Sequence, residues 1–113
     1  MITNQNKIIS KKEKYCYNLF SQGLGLMFSR KKNLVMVFKK PIKIKLHNFF
    51  VFYPIDVLVL DENKRIIEIK KDFKPFTFWN SEKKGMYLVE FGLNQPTSNL
   101  KYKEGDLLEF KEK

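Results

Sequence analysis

Alanine is absent from this chain of 113 residues, and cysteine, histidine and tryptophan occur once each. A lone Cys16 excludes an intrachain disulfide and any cysteine-rich metal site. Lying between Tyr15 and Tyr17, it reads as a buried, inert thiol. A lone His47 among scattered carboxylates does not make a transition-metal site, so no metal is expected. The five glycines form neither a P-loop nor a dinucleotide fingerprint, and no cofactor is expected. The serines sit in polar contexts without a Gly-x-Ser-x-Gly elbow, which argues against a serine hydrolase. Long apolar runs are missing too. The longest, Leu46–Leu60, is too short for a membrane-spanning helix and contains His47, Asn48, Pro54 and Asp56. The polar start, Met1 to Lys7, lacks the apolar centre of a signal peptide, and the expectation is a cytoplasmic protein.

What the chain has in quantity is phenylalanine, eleven in all, and lysine. Its length is that of one domain, burying roughly 65% of the unfolded surface, so residues 1–113 are expected to share one core. The net charge of +10 is uneven. Residues 1–45 carry eleven Lys and Arg against the single acid Glu13, whereas residues 46–113 carry eleven side chains of each sign. Such asymmetry points to a polyanionic partner, weighed against a lysine-rich solvated surface of purely compositional origin. Only Arg30 and Arg65 are arginines. Guanidinium forks for base edges are therefore scarce, and nucleic-acid binding here would be weak, sequence-independent and salt-sensitive.

Patterning predicts mostly strands. Residues 1–14 read as a basic arm or a short first strand. Asn18 fits the N-cap of a helical turn through Leu19, Phe20 and Ser21, ended by Gly23. Leu34–Phe38 is a strand, broken at Lys39-Lys40-Pro41. Residues 42–46 then alternate, Ile42, Ile44 and Leu46 facing the core and Lys43 and Lys45 facing away. The aromatic run 47–53 ends at Pro54-Ile55-Asp56 and restarts as a buried strand, Val57–Leu60. Asp61 to Lys64 turn that strand into a hairpin with Arg65–Lys70, in which Ile67 and Ile69 face one way and Ile66, Glu68 and Lys70 the other. Phe73, Phe76, Phe78 and Trp79 form an aromatic loop, with Trp79 expected at the surface. Tyr87–Phe91 and Leu107–Phe110 are the last strands, the second after a Gly105-Asp106 turn. The expected fold class is α+β, predominantly antiparallel β: a small barrel-like rolled sheet with one or two short helical turns.

Four motifs recur in order across residues 15–110: Gly25-Leu26-Met27 with Arg30, Pro54-Ile55-Asp56 followed by Val57-Leu58-Val59-Leu60-Asp61, Tyr87-Leu88-Val89-Glu90, and Gly105-Asp106. Together they resemble the domain-of-unknown-function 192 family, also called uncharacterised protein family 0127. The resemblance implies a compact, mostly antiparallel barrel-like domain and no accepted reaction, cofactor or substrate. The chain departs from the family pattern at His47 to Tyr53 and in the connection after Glu90.

The leading functional expectation is a non-enzymatic binding domain whose groove, near Arg30, His47 and Asp56, holds a small polar ligand or a peptide. Asp56 also has a structural reading, as an acid that accepts backbone N–H groups or pairs with a cation such as Arg30. Glu90 and Asp106 read similarly. The first alternative is weak RNA or DNA binding through Lys39, Lys43 and Lys45, with the aromatic segment 73–79 available to stack on bases. The same lysine row would equally guard a sheet edge. The second alternative is a hydrolase with His47 as base and Asp56 as its orienter.

Overall fold

Gln5 and Asn6 have φ of 50° and 68°, the geometry a two-residue hairpin turn needs to match strand twist. They join β1 (Ile2–Asn4) to β2 (Lys7–Ser10). The computed structural model describes residues 1–17, 33–47, 55–74, 77–91 and 102–111, and every regular element among them is a strand. The remainder are β3 (Glu13–Cys16), β4 (Asn33–His47), β5 (Ile55–Leu60), β6 (Ile66–Phe73), β7 (Phe78–Phe91) and β8 (Leu108–Glu109). They form a three-stranded sheet, β2-β1-β8, and a five-stranded sheet, β3-β4-β7-β5-β6. All pairs are antiparallel except β3 with β4, which is parallel.

The two sheets meet at a bridge between Arg65 and Leu107. Ile66 N–H donates to Asp106 O at 2.8 Å, Gly105 N–H to Ile66 O at 2.8 Å, and Leu108 N–H to Lys64 O at 2.9 Å. Gly105 sits at φ 95°, a conformation that side chains oppose, and so supplies the turn that aims these groups.

Several expectations need correction. The structure is not a closed barrel but two sheets bridged at this point, and no helix occurs among the described residues. The helical turn expected at 18–21 lies outside them. Of the two readings of residues 1–14, the strand is the one found: residues 2–16 form three strands, with Ile2 fully buried. Pro41 does not break the chain into two strands. The β4 register shifts between Val37 and Ile42, and within that irregularity an imino acid removes no ladder bond. Likewise β7 begins at Phe78, well before Tyr87. In β6 the register shifts between its Glu68 and Ile66 pairings, so Ile66 and Ile69 pack on one core and Ile67 on the other. Strict alternation failed there because a bulge changes the parity of every residue beyond it.

The central part of the five-stranded sheet is buried on both faces. Val35, Leu58, Leu60, Tyr87, Val89 and Phe91 pack with Ile2, Ile9 and Leu108 of the smaller sheet. Leu34, Met36, Ile44, Val57, Val59 and Leu88 form a second core on the other side. Consequently all six residues of β5 are buried, including the apolar run Val57–Leu60 expected to be so.

A straight strand of 14 residues would run roughly 46 Å, yet the longest dimension of the protein is 33 Å. The β4–β7 ladder therefore bends. From Lys43 to Lys45 two steps along β4 match four along β7. Ser81 fills the gap: its Oγ accepts Ile44 N–H at 2.8 Å and donates to Lys83 O at 2.9 Å. Gly85 lets the bent strand approach the core, since a methyl there would meet Val59 Cγ1 and lie 3.2 Å from Ile44 Cδ1. Gly85→Ala is expected to lower stability by about 1–3 kcal/mol, as overpacked cores do, read by chemical denaturation.

Candidate functional site

Three acids of the sequence motifs, Asp56, Asp61 and Asp106, hold the scaffold together. Asp56 is buried at the start of β5. Its Oδ1 accepts Asp72 N–H at 2.9 Å, and its Oδ2 accepts the Tyr102 hydroxyl at 3.2 Å. The β5–β6 register shifts between Ile55 and Val57, where Asp72 adopts φ 52° and leaves the ladder. The Asp56 carboxylate thus replaces a lost ladder acceptor, as its backbone-bonding expectation required. Tyr102 stacks on Phe91, ring centroids 5.5 Å apart. Burial, then the adjacent Asp56 charge, raises its phenol well above the ordinary range and keeps it a donor. Asp106 Oδ2 accepts Lys103 N–H at 2.9 Å and Asn4 Nδ2 at 2.8 Å, fastening β1 to the turn before β8. Asp61 Oδ1 accepts Asn63 N–H and Arg65 N–H, closing the β5–β6 hairpin.

Glu90 is different. It pairs with Leu34 on one side and Val57 on the other, so it faces the second core. Burial pushes its carboxyl from 4.5 up to about 7.

A cleft of about 720 Å³ opens where β3, β8 and the β5–β6 turn converge. Tyr15, Leu108 and Phe110 give it apolar surface, and Lys11, Lys12, Lys64 and Lys111 contribute cations. Lys64 Nζ donates to Phe110 O at 2.7 Å and stands 4.4 Å over the Phe110 ring. Phe110 in turn meets Tyr87 edge-on at 5.5 Å and Tyr15 at 6.3 Å, which fixes the aromatic wall. Two acids also line the cleft, Glu13 and Glu109. Glu13 is neutralised: the Met1 ammonium lies 2.6 Å from Oε2, and the Ser10 and Tyr15 hydroxyls donate at 2.7 and 2.8 Å. Burial alone would raise the Glu13 carboxyl; the ammonium and the two hydroxyls outweigh it and hold it below 4.5. The lining is therefore cationic over an aromatic wall. Nothing in the sequence pattern assembled it, because its members come from both ends of the chain and a central turn. The Lys11-Lys12 doublet was the one local signal.

Of the residues assigned from sequence to a groove, Arg30 lies outside the described residues. Asp56 pairs with Phe91 at the end of β7, while His47 pairs with Phe78 at its beginning. Lys39, Lys43 and Lys45 are exposed on β4. Trp79, expected at the surface, is half-buried and packs on the second core, whereas its neighbour Phe78 is 71% exposed. Parity explains the exchange: Trp79 pairs with the inward Leu46, so Phe78 must face out. No helix among the described residues is long and apolar enough to cross a membrane.

This architecture is that of a two-sheet β domain whose signature acids serve its own backbone. Residues 4–110 match the model of DUF192, described as an uncharacterized ACR, and the chain belongs to that family. A UPF0127 protein of Pyrococcus furiosus is 30% identical over 110 residues, covering 94% of this chain and 92% of its own length. A UPF0127 protein of Pyrococcus horikoshii is 29% identical, covering 80% and 82%. The fold is shared with a protein of unknown function from Novosphingobium aromaticivorans, with TM-score 0.74 and 17% identity over 87% of this chain and 74% of that one. It is shared also with a putative transcription regulator from Sinorhizobium meliloti, with TM-score 0.73 and 18% identity over 84% and 78%.

Two stability measurements check the assignments of the acids. Asp56→Ala orphans a backbone N–H and a buried phenol and is expected to cost about 2–4 kcal/mol in chemical denaturation. For Glu90 the folded pKa lies above the unfolded one, so the folded chain retains a proton between pH 4.5 and 7 that the unfolded chain has released. Its contribution to stability is then intact below pH 4.5 and lost as pH rises through 7, a change of roughly 3 kcal/mol. Glu90→Gln should match the parent at pH 4.5 and exceed it at pH 8; equal stabilities at pH 8 would contradict the shift.

Proposed function

We propose that the protein is a cytoplasmic, non-enzymatic binding domain that takes a small polar ligand or a peptide. The observation that carries this is the 720 Å³ cleft with cations around an aromatic wall. Its volume lies in the range of small-molecule sites, and its chemistry favours a ligand with a carboxylate or phosphate group and an apolar part. Lys11, Lys12 and Lys111 are exposed, so their ammonium groups are accessible to such an anion. The acid Asp56 supports the proposal less, because each of its oxygens already accepts an internal hydrogen bond. A screen of thermal shifts with amino acids, dicarboxylates, nucleotides and short peptides tests the proposal. A ligand at a hundred times its Kd adds about 2.7 kcal/mol, a rise of several degrees in Tm. The double variant Lys11→Glu, Lys12→Glu should keep the unliganded Tm, as surface changes do, and lose the shift. An unchanged shift in that variant would remove the cleft from consideration.

A second reading, sequence-independent polyanion binding, is supported by the exposure of Lys39, Lys43 and Lys45 together on β4. It predicts affinity for nucleic acid that falls steeply with salt.

A further inference from the structure

The β4–β7 ladder carries two bulges, one on each strand, with a pair of cations between them. From the Val37–Tyr87 pair to the Ile42–Gly85 pair, β4 has four intervening residues and β7 has only Met86. From Lys43–Lys84 to Lys45–Asn80 the excess is reversed, three residues on β7 against Ile44 alone on β4. The first bulge contains Lys39 and Lys40, and the second contains Lys83. Lys43 and Lys84 stand directly opposite each other between the bulges, and all five of these lysines are exposed. Ile44 and Gly85, each next in sequence to a member of the pair, are buried, so the pair itself faces outward. Glu68 of β6 braces the second bulge, its carboxylate accepting the backbone N–H groups of Glu82 and Lys83 at 3.0–3.1 Å.

The protein's own acids do not neutralise this cluster. Eleven of the chain's twelve acids are among the described residues, and no ion pair joins any of them to these five ammonium groups. Most are committed elsewhere: Glu13 to the Met1 ammonium, Asp56, Asp61, Glu68 and Asp106 to hydrogen bonds, and Glu90 to a core. Glu82 is the one acid inside either bulge. Like charges directly opposite across a strand pair, with Cβ atoms about 5 Å apart, destabilise the ladder. A phosphate between them replaces that repulsion with charge-assisted hydrogen bonds. We propose that the double bulge binds a compact oligophosphate, free or as the tail of a nucleotide, with one phosphate between Lys43 and Lys84 and its neighbours held by Lys39, Lys40 and Lys83; this rests on the polyanion reading and deepens it. Charge density decides the class of ligand. Neighbouring phosphates of an oligophosphate share one bridging oxygen, whereas those of a nucleic acid are separated by a sugar. Five cations drawn from two opposed bulges and the pair between them make a cluster, which suits the denser chain. Lysine serves such a ligand as a point charge, without a planar fork to be matched.

Isothermal titration calorimetry on the full chain, without divalent cations, tests the inference with inorganic triphosphate, ATP and a short oligo(dT) of matched net charge. Triphosphate is expected to bind, and more tightly than oligo(dT). ATP binding equal to triphosphate binding assigns recognition to the phosphate chain alone; tighter ATP binding assigns a nucleotide as the source of that chain. Lys43→Gln and Lys84→Gln should each weaken triphosphate binding roughly fivefold, the upper end for an exposed ion pair. Lys103→Gln, an equal change of charge on the turn before β8, should leave it unaltered. Each of the first two variants also relieves the cross-strand repulsion, so the unliganded Tm should not fall and weaker binding is not loss of fold. Triphosphate affinity that all three variants reduce alike would overturn the site. So would affinity lost in Lys11→Gln, Lys12→Gln but kept in Lys43→Gln and Lys84→Gln, which would move the ligand to the cleft. Salt-sensitive oligo(dT) binding at least as tight as that of triphosphate would overturn the oligophosphate assignment yet leave the polyanion reading standing. No salt-sensitive binding to any of the three ligands would remove both.

Discussion

The bend of the β4–β7 ladder is the constraint on which the rest depends. β7 is shared between β4 and β5, so it carries one sheet through the whole molecule. Fully straight, it would exceed the molecule's longest principal axis, and the excess is absorbed at a place where ladder bonding lapses. Ser81 Oγ, within the irregular segment, supplies the missing acceptor, and Gly85 beside it leaves room for the close approach of the strand to the core. Beyond the bend, one face still lies on the second core through Ile44, and the other is left to lysine and Phe78. The flat half of β7 meanwhile builds both cores and, through Tyr87, supports the aromatic wall of the cleft. Two chemically distinct surfaces thus follow from a single change of strand direction.

The residues by which the family is recognised have mostly internal work. Asp56 restores an acceptor to a bulged ladder, and Gly105-Asp106 turns the chain so that β8 can join the sheets. Both devices satisfy backbone groups that burial would otherwise leave without partners. A signature of this kind describes a way to fold and is silent on ligand. Glu90 is the exception, since a carboxyl forced toward neutrality by apolar surroundings works against stability at high pH rather than for it. The exposed lysines lie elsewhere, outside these motifs.

Local chemistry made much of the fold legible. The apolar run at Val57–Leu60 became a fully buried strand, Asp61 closed the hairpin, and Ile44 faced inward between Lys43 and Lys45. Each of these depends on near neighbours: period two, an acid that bonds amides two and four residues on, or an unbroken apolar stretch. The errors cluster at bulges. At Ile66 to Ile69 one irregular step altered which face the side chains take, and at Lys39 to Pro41 an irregularity inside one strand reads in the sequence as a break between two. The candidate groove fared differently. Asp56 and His47, nine positions apart in sequence, pair with opposite ends of β7.

By itself, the sequence determined the family, the predominance of strands, the inward side of most of them, and the excess of lysine in the first two-fifths of the chain. Only the tertiary structure decided where those lysines go. Lys11 and Lys12 reach a cleft completed by Lys64 and Phe110, while Lys43 meets Lys84 across a bent ladder. Strand pairing and bulge position are collective outcomes of packing, set by contacts between residues tens of positions apart, and no short window of residue types encodes them.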